Sequence, residues 1–185
     1  MRSVQVTTWF LEMTDPGRLA AAPSTDGELE FRQVELPSPE FSRALYAGVG
    51  SDWFWIDRLS WSWARWHEWL SRPGFEVWVP YVRGTPAGYI ELEHADDDAV
   101  EIVAFGLLPA FIGRGIGTRS LDFALRRAWS LGPRRVWVHT CSLDGPAALR
   151  TYQGRGLEIY DEQIDQVALP DERLQPWPGA DRPPP

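Results

Sequence analysis

The sequence lacks several features that would place it in a class at once. Lysine is absent, so all 18 basic residues are arginines, and Cys141 is the only cysteine. A single cysteine excludes an internal disulfide and a Cys-x-x-Cys metal site. No apolar run approaches the roughly 20 residues that span a membrane, and residues 1–10 lack the basic start and apolar stretch of a signal peptide. These absences predict a cytoplasmic protein.

The charge balance argues against polyanionic macromolecules as partners. The formal net charge is −8, so we expect neither nucleic acid nor an anionic membrane surface, whereas a cationic substrate is compatible with it. The arginines are nevertheless clustered, because residues 110–135 contain six of them against one acid, Asp122. This local excess of positive charge predicts contact with a small polyanionic ligand.

The chain predicts one α/β domain of the α+β type over residues 1–169. A proline-rich tail follows over residues 170–185, and we expect it to be disordered. Apolar alternation predicts strands at 4–13, 29–36, 76–82, 87–94, 100–108, 135–140 and 157–169. Capping and breaking residues predict four helices. They cover residues 39–46, a segment from Ser60 or Ser62 to Leu70, residues 117–131 and residues 144–153. This order predicts a mixed sheet with helices packed on it.

The most informative segment is a glycine-rich loop between a predicted strand and a predicted helix. Strand 100–108 leads through Pro109 to Ile112-Gly113-Arg114-Gly115-Ile116-Gly117-Thr118, and an amphipathic run follows. Glycines let a phosphate approach the backbone, and the free N–H groups of a first helical turn point at it. The loop has neither the Gly-Lys-Ser/Thr of a P-loop nor the spacing of a dinucleotide fingerprint. It predicts a site for a phosphate-bearing small molecule.

Two motifs that are separated along the chain are informative in combination. The first is the loop 112–117, and the second comprises Asp144, Ala147, Tyr152, Gly156 and Leu157. In spacing and order they resemble the GNAT superfamily of acyl-CoA-dependent N-acetyltransferases, whose signatures are Gln/Arg-x-x-Gly-x-Gly/Ala and then Asn-x-x-Ala, Tyr and Gly-Phe. Ile112, Asp144 and Leu157 depart from these patterns. The resemblance covers residues 28–168 and implies a mixed, mostly antiparallel sheet flanked by helices, with residues 4–13 as an extra N-terminal strand outside the common core.

The resemblance implies acetyl-CoA as co-substrate and no metal. The pantetheine arm would lie between two diverging strands, bound by the main chain of strand 100–108, and the N–H of Leu107 would polarise the thioester carbonyl. The pyrophosphate would lie on the N–H groups of residues 113–118, with Arg114 or Arg119 adding positive charge. The implied cofactor-binding residues are Leu107, Leu108, Gly113, Arg114, Gly115, Ile116, Gly117, Thr118 and Arg119.

Acyl transfer to an amine benefits from a base for the ammonium and an acid for the leaving thiolate. Tyr152 is the implied acid by its position in the second motif, with a packed core tyrosine as the alternative. Glu101 is the first candidate base, because family histone acetyltransferases carry a catalytic glutamate at the same spacing, eleven residues before the position of Ile112. Alternation along the strand predicts that Glu101 shares a face with Val103, Phe105 and Leu107.

Other groups compete for the role of the base. Glu91 and Glu93 share a face of the preceding strand and are the next candidates. All three carboxylates also have the ordinary interpretation of solvated residues at strand ends. Three histidines are weaker candidates, since a lone histidine is more often structural: His67, His94 and His139.

Tryptophans are concentrated in one part of the chain. Seven of the eleven fall within residues 53–78, and the resemblance implies that this region covers the acceptor site. Their density predicts an aromatic acceptor wall or a cation–π cage, with Trp53, Trp55 and Trp63 as candidates beside Glu91 and Glu93. Core packing is the alternative, because Trp66 and Trp69 are one helical turn apart.

These observations combine into one functional prediction with open alternatives. We expect an enzyme that moves an acetyl group from acetyl-CoA to a primary amine of a small acceptor by direct attack in a ternary complex, and an aromatic acceptor is compatible with the tryptophan-rich segment. A protein N-terminus or lysine is the alternative acceptor, and a non-catalytic acyl-CoA-binding module is the alternative class. The oligomeric state stays open, and a homodimer is compatible with the sequence.

Overall fold

The computed structural model describes residues 1–23, 27–95, 98–173 and 175–180. These residues form one sheet of eight strands with four α-helices packed on it, which confirms the predicted α+β class. The strands are β1 (Arg2–Met13), β2 (Leu29–Gln33), β3 (Phe75–Val82), β4 (Thr85–Pro86), β5 (Gly88–Ala95), β6 (Ala99–Leu107), β7 (Arg135–Cys141) and β8 (Glu158–Leu169). The helices are α1 (Pro39–Gly50), α2 (Trp63–Leu70), α3 (Ile116–Ser130) and α4 (Ala148–Gly154).

The sheet is mostly antiparallel. Its strand order is β2–β3–β5–β6–β7–β1–β8, with β4 paired to β3, and the β6–β7 pair alone among these neighbours is parallel. The predicted N-terminal strand is present and lies inside the sheet, paired with both β7 and β8. Its buried side chains Val6, Leu11 and Met13 make β1 part of the core.

Two apolar clusters cover the two faces of the sheet. On the face covered by α3 and α4, called here the α3 face, Leu121 and Leu125 pack against Ile102. On the opposite α1–α2 face, Trp66 packs with Tyr89 over β3 and β5. Burying each of these large apolar side chains stabilises the fold by about 1.5–3 kcal/mol. No described helix is long and apolar enough to cross a membrane.

Some helix boundaries lie where local sequence signals place them, and others are set by packing or by contacts with other elements. α2 begins after Ser62, as predicted, and the Ser62 hydroxyl accepts a hydrogen bond from the N–H of Arg65 at 3.2 Å. α1 begins at the predicted Pro39 but continues to Gly50, because residues 45–50 are buried against the sheet. α4 begins at Ala148 rather than at 144, since Asp144 bonds to the end of β7 instead of capping the helix.

The C-terminal segment begins where β8 ends. Residues 174 and 181–185 of the predicted disordered tail lie outside the described residues. In the described part, the carboxylate of Asp171 accepts a hydrogen bond from the N-terminal ammonium at 2.7 Å. The guanidinium of Arg173 lies 5.9 Å from the ring centroid of Phe54, and Ala180 is buried. This part of the tail therefore contacts the domain.

α1 approaches β6 closely at Gly106, which generates a testable prediction. A Cβ at Gly106 would collide with Cγ1 of Val49, which is buried on α1. We expect Gly106→Ala to lower the free energy of unfolding by about 1–3 kcal/mol, because the core is overpacked there. Urea denaturation measures this. Gly154→Ala is the control, since its Cβ would meet nothing within 4 Å; equal stability of the two variants would contradict the close approach.

Candidate active site

The parallel strands β6 and β7 pair over only part of their length. The ladder joins residues 99–102 to 135–138, whereas β6 continues to Leu107 and β7 to Cys141. A bulge in the β5–β6 pair lies at the same place, because Ile102 is opposite Leu92 and Ala104 is opposite Glu91. A bulge bends its strand and ends regular pairing. Beyond Ile102 the two strands therefore diverge around a gap between residues 103–107 and 139–141.

The bulge also changes which side chains share a face, so the alternation predicted for this strand is wrong. Val103 is the inserted residue, and the face of every later side chain is reversed. Phe105 consequently lies on the α3 face, where its ring packs edge-on against Tyr152 with 6.1 Å between centroids. Glu101 lies on the α1–α2 face with Ala104.

The loop after β6 forms an open nest of backbone groups. Gly113 and Gly115 adopt left-handed φ angles of 79° and 72°, and Gly115 is the N-cap of α3. A side chain at either position would meet nothing within 4 Å, so both face open space. The N–H groups of residues 116–118 precede the first intrahelical bond, which runs from Arg119 to Gly115. This geometry fits a phosphate group.

Ion pairs neutralise much of the positive charge of residues 110–135, one of them within the segment and three with acids of other elements. Four of its six arginines form ion pairs: Arg126 with Asp122, Arg127 with Glu76, Arg134 with Asp98 and Arg135 with Glu12. Arg114 lies in the loop itself and is exposed, and Arg119 lies on the first turn of α3. At the candidate phosphate site, Arg114 and the N-terminus of α3 supply positive charge.

Backbone direction distinguishes the two leucines at the end of β6. The N–H of Leu108 donates to the carbonyl of Ala87, on the β5 side, at 2.9 Å. Because successive N–H groups of a strand point to opposite sides, that of Leu107 is directed away from β5 and toward the gap. The side chain of Leu108 packs against α1 beside Gly48.

The three candidate carboxylates of β5 and β6 have different environments. Glu91 is fully buried, and it accepts a hydrogen bond from Nη1 of Arg58 at 2.6 Å and another from the hydroxyl of Tyr89. Glu93 lies opposite Glu101 in the β5–β6 register and pairs with Arg72 at 2.9 Å. Burial raises the pKa of Glu93; Arg72 opposes this rise and the charge of Glu101 adds to it.

Glu101 also contacts the next strand. Its Oε1 lies 3.4 Å from Nδ1 of His139 on β7, and its side chain is partly exposed. The sequence marks His139 as a weak candidate for the base, and the fold places it beside Glu101, the first candidate. Glu93, Glu101 and His139 thus form a polar cluster where the β6–β7 ladder ends.

Much of the tryptophan-rich segment surrounds an arginine of the chain itself. The guanidinium carbon of Arg58 lies 4.3, 5.5 and 5.4 Å from the ring centroids of Trp69, Trp61 and Tyr46. Trp66 is buried against Tyr46 and Trp61. Trp61, Trp69 and Tyr46 thus form a cation–π cage around Arg58 of the chain itself, and the cage predicted for an acceptor stays a prediction. No local sequence signal marks Arg58, because its partner Glu91 lies 33 residues away.

The structure separates the three tryptophans considered for the acceptor site. The indole of Trp55 spans the gap, since its Nε1 lies 3.4 Å from Oδ1 of Asp144 and its ring edge lies beside Gly106. Trp53 packs next to Gly145 in the same turn as Asp144. Trp63 instead donates to Glu40 at 2.9 Å and stacks on His67 on the outer surface of α1 and α2.

Tyr152 lies on the opposite side of the sheet from Glu101. It is buried on α4 and contacts Phe105. Burial, and then the charge of Asp144, raises the pKa of the Tyr152 phenol. The hydroxyl therefore stays protonated at neutral pH and can donate a proton or a hydrogen bond. The two residues predicted to be base and acid flank the gap from its two faces.

The mixed sheet has one interrupted parallel ladder, and its gap leads to a glycine nest that fits a phosphate group. The family model "Acetyltransferase (GNAT) family" matches residues 38–157, which is more than half of the chain. The chain belongs to the GNAT family.

Solved structures support the fold. A GCN5-related N-acetyltransferase from Kribbella flavida has a TM-score of 0.63 at 17% identity and covers 88% of this chain and 58% of its own. A GCN5-related N-acetyltransferase from Sphaerobacter thermophilus has a TM-score of 0.67 at 16% identity, and the match covers 92% of this chain and 54% of the Sphaerobacter thermophilus chain. A Bacillus subtilis acetyltransferase in complex with CoA has a TM-score of 0.53 at 22% identity, and the match covers 69% of this chain and 75% of the Bacillus subtilis chain.

At these identities the likeness concerns the fold alone. The chain spans a little over half the length of the Kribbella flavida and Sphaerobacter thermophilus proteins. No curated protein matches the sequence.

The buried Arg58–Glu91 pair makes a prediction about stability. We expect Arg58→Met to lower the free energy of unfolding by about 3–5 kcal/mol, because it leaves a buried carboxylate without its cation. The control is Arg32→Met, which breaks an exposed pair with Glu30 and should cost under about 1 kcal/mol. Urea denaturation of both variants checks this, and similar losses would show that Glu91 does not depend on Arg58.

Proposed function

We propose that the protein transfers an acetyl group from acetyl-CoA to a primary amine of a small acceptor, by direct attack in a ternary complex. One observation carries this proposal. The gap between β6 and β7 leads to the glycine nest, and Glu101 and Tyr152 flank it from opposite faces. Membership of the GNAT family supports acyl transfer.

The residues around the gap fit acetyl-CoA. The N–H groups of residues 113–118 would hold the pyrophosphate, and Arg114 and Arg119 would add positive charge. Ile116 is buried beneath the loop and would contribute only its N–H, whereas Thr118 is exposed on the first turn. Acetyl-CoA, when bound, supplies a thioester whose carbonyl carbon accepts the amine. The N–H of Leu107 would donate to the carbonyl oxygen as negative charge develops there.

Two side chains would move the protons of the reaction. Glu101 takes a proton from the acceptor ammonium, which frees the nitrogen lone pair for attack. The new C–N bond forms as the C–S bond breaks, Tyr152 donates its proton to the departing thiolate, and the second proton that the acceptor nitrogen loses returns to the Tyr152 oxygen. Burial and the charge of Asp144 raise the pKa of Tyr152, which makes it a weaker acid than a free phenol.

The acceptor would enter from the α1–α2 face. Trp55 and Trp53 cover the gap on that side, and Glu93, which is paired with Arg72, lies beside Glu101. Glu91 is left out of this proposal because Arg58 and Tyr89 already occupy its oxygens. Trp63 is left out because its contacts lie on the outer helix surface.

Release of free thiol from acetyl-CoA with a panel of amines tests the proposed reaction. We expect amine-dependent release with at least one small primary amine. Release only with peptides would instead favour a protein N-terminus or lysine as acceptor. No release with any amine, together with tight CoA binding, would leave a non-catalytic acyl-CoA-binding module.

The glycine nest makes a prediction about CoA binding. We expect Gly115→Glu to abolish CoA binding in calorimetry, because a side chain and a negative charge would occupy the place of the phosphate. Gly84→Glu is a matched control, since Gly84 also has a left-handed φ, of 82°, and open space around it but lies between β3 and β4. Unchanged CoA affinity of the Gly115 variant would refute the assignment of the loop.

The proposed base makes a prediction about pH. We expect Glu101→Gln to lower kcat most at low pH, where more of the amine is protonated and a base matters most. General base catalysis contributes about 10²- to 10⁴-fold, so the loss should approach this range on the acidic side. Thiol release measured across pH checks it. A variant with the wild-type pH profile would remove Glu101 from the role of base.

A further inference from the structure

Half of the α1–α2 face is lined by aromatic side chains rather than by a helix. α1 and α2 pack against β3, β5 and β6, whereas β7, β1 and β8 carry four rings on this face: Phe10, Trp137, His139 and Tyr160. The ring of Phe10 lies 6.1 Å from that of His139 and 6.2 Å from that of Tyr160. The rings of Trp137 and His139 are 6.3 Å apart. We call these four residues the aromatic platform.

The aromatic platform is accessible. The side chain of His139 is 47% exposed, and Tyr160 is 44% exposed. Phe10 and Trp137 are half-buried. Large aromatic residues gathered on one accessible surface mark a binding site more often than scattered ones do.

One end of the aromatic platform is acidic and the other is not. Trp137 is the register neighbour of Glu101, and His139 contacts the Glu101 carboxylate. Glu93 lies beside Glu101 on β5. At the far end, Arg135 pairs with Glu12 at 3.0 Å and donates to the hydroxyl of Tyr160 at 2.8 Å. Glu12 neutralises Arg135 and Arg72 neutralises Glu93, so Glu101 is the carboxylate that attracts a cation to this end of the platform.

We propose that the aromatic platform binds the apolar ring of the acceptor, and that the acceptor is an arylalkyl primary amine whose ammonium reaches Glu101. Two observations favour this occupant: the negative charge of Glu101 at one end of the platform, and the continuity of the platform with the gap between β6 and β7. A flat ring stacks on aromatic side chains, and a short alkyl link brings its amine to the carboxylate. This inference rests on the proposed function and moves the ring of the acceptor away from the tryptophan-rich segment.

Binding of matched small molecules tests the platform without requiring turnover. 2-Phenylethylamine is titrated into the CoA-saturated protein while the indole N–H signals are followed by NMR, with the Trp137 signal assigned by its loss in Trp137→Leu. We expect this signal to shift with 2-phenylethylamine and to shift much less with n-butylamine, which has no ring. We also expect weaker binding of 2-phenylethanol, which has the ring but no charge.

Variants of the platform provide the second arm. We expect Trp137→Leu and Tyr160→Leu each to weaken 2-phenylethylamine binding roughly three- to tenfold, the range of one aromatic contact, with n-butylamine unaffected. Ile164→Ala is the control, because Ile164 is 59% exposed on β8 but its register partner Thr7 places it on the other face from Phe10. Thermal unfolding confirms that each variant is folded.

Three outcomes would overturn the inference. The first is a Trp137 signal that does not respond to the arylalkylamine, and the second is wild-type affinity in both platform variants. The third is a dimer, detected by sedimentation, that dissociates on Trp137→Leu, since a second copy would then occupy the platform. If 2-phenylethylamine binds the platform but no thiol is released, only the proposed transferase reaction is contradicted. If thiol is released at a rate that the platform variants do not change, only the platform is contradicted.

Discussion

The candidate site depends on one interruption in the sheet, the end of the β6–β7 ladder at Ile102 and Val138 with the bulge at Val103. Beyond this point the backbone of β6 faces a gap instead of a partner strand. Unpaired backbone groups are costly when they are shielded from water, so this edge favours a ligand that carries amides of its own. The same bulge turns Phe105 toward Tyr152 and leaves Glu101 on the other face.

The second constraint is the burial of a carboxylate beneath the tryptophan-rich segment. Glu91 lies in the core, where an unpaired charge would be strongly destabilising. Arg58 supplies the countercharge, and Trp61 and Trp69 shield this pair from water. Aromatic density in this segment therefore has a structural purpose. It also explains why tryptophan count alone is a poor guide to the acceptor site.

Local signals in the sequence predicted the elements well, and long-range contacts account for what it did not predict. The cap at Ser62, the strand before the glycine loop and the apolar face of α3 are encoded within a few residues of where they act. The bulge at Val103 depends on pairing with β5, and the role of Asp144 depends on the end of β7. Neither interaction leaves a periodic pattern in the sequence. Alternation therefore gave the wrong face after Val103, and the capping signal at Asp144 gave the wrong start for α4.

Charge pairing in the folded chain gives the site its polarity. Several arginines near α3 are paired with acids, Arg126 with Asp122 of the same helix and Arg127 and Arg134 with acids of other elements, so a simple count of charges overstates the positive field around the loop. The field that matters is local, with the helix terminus and Arg114 at the nest and with Glu93 and Glu101 on the α1–α2 face. An anionic co-substrate and a cationic acceptor would thus be drawn to different faces of one gap. In the proposed reaction their reacting groups would meet where the two strands separate, beyond the end of the β6–β7 ladder.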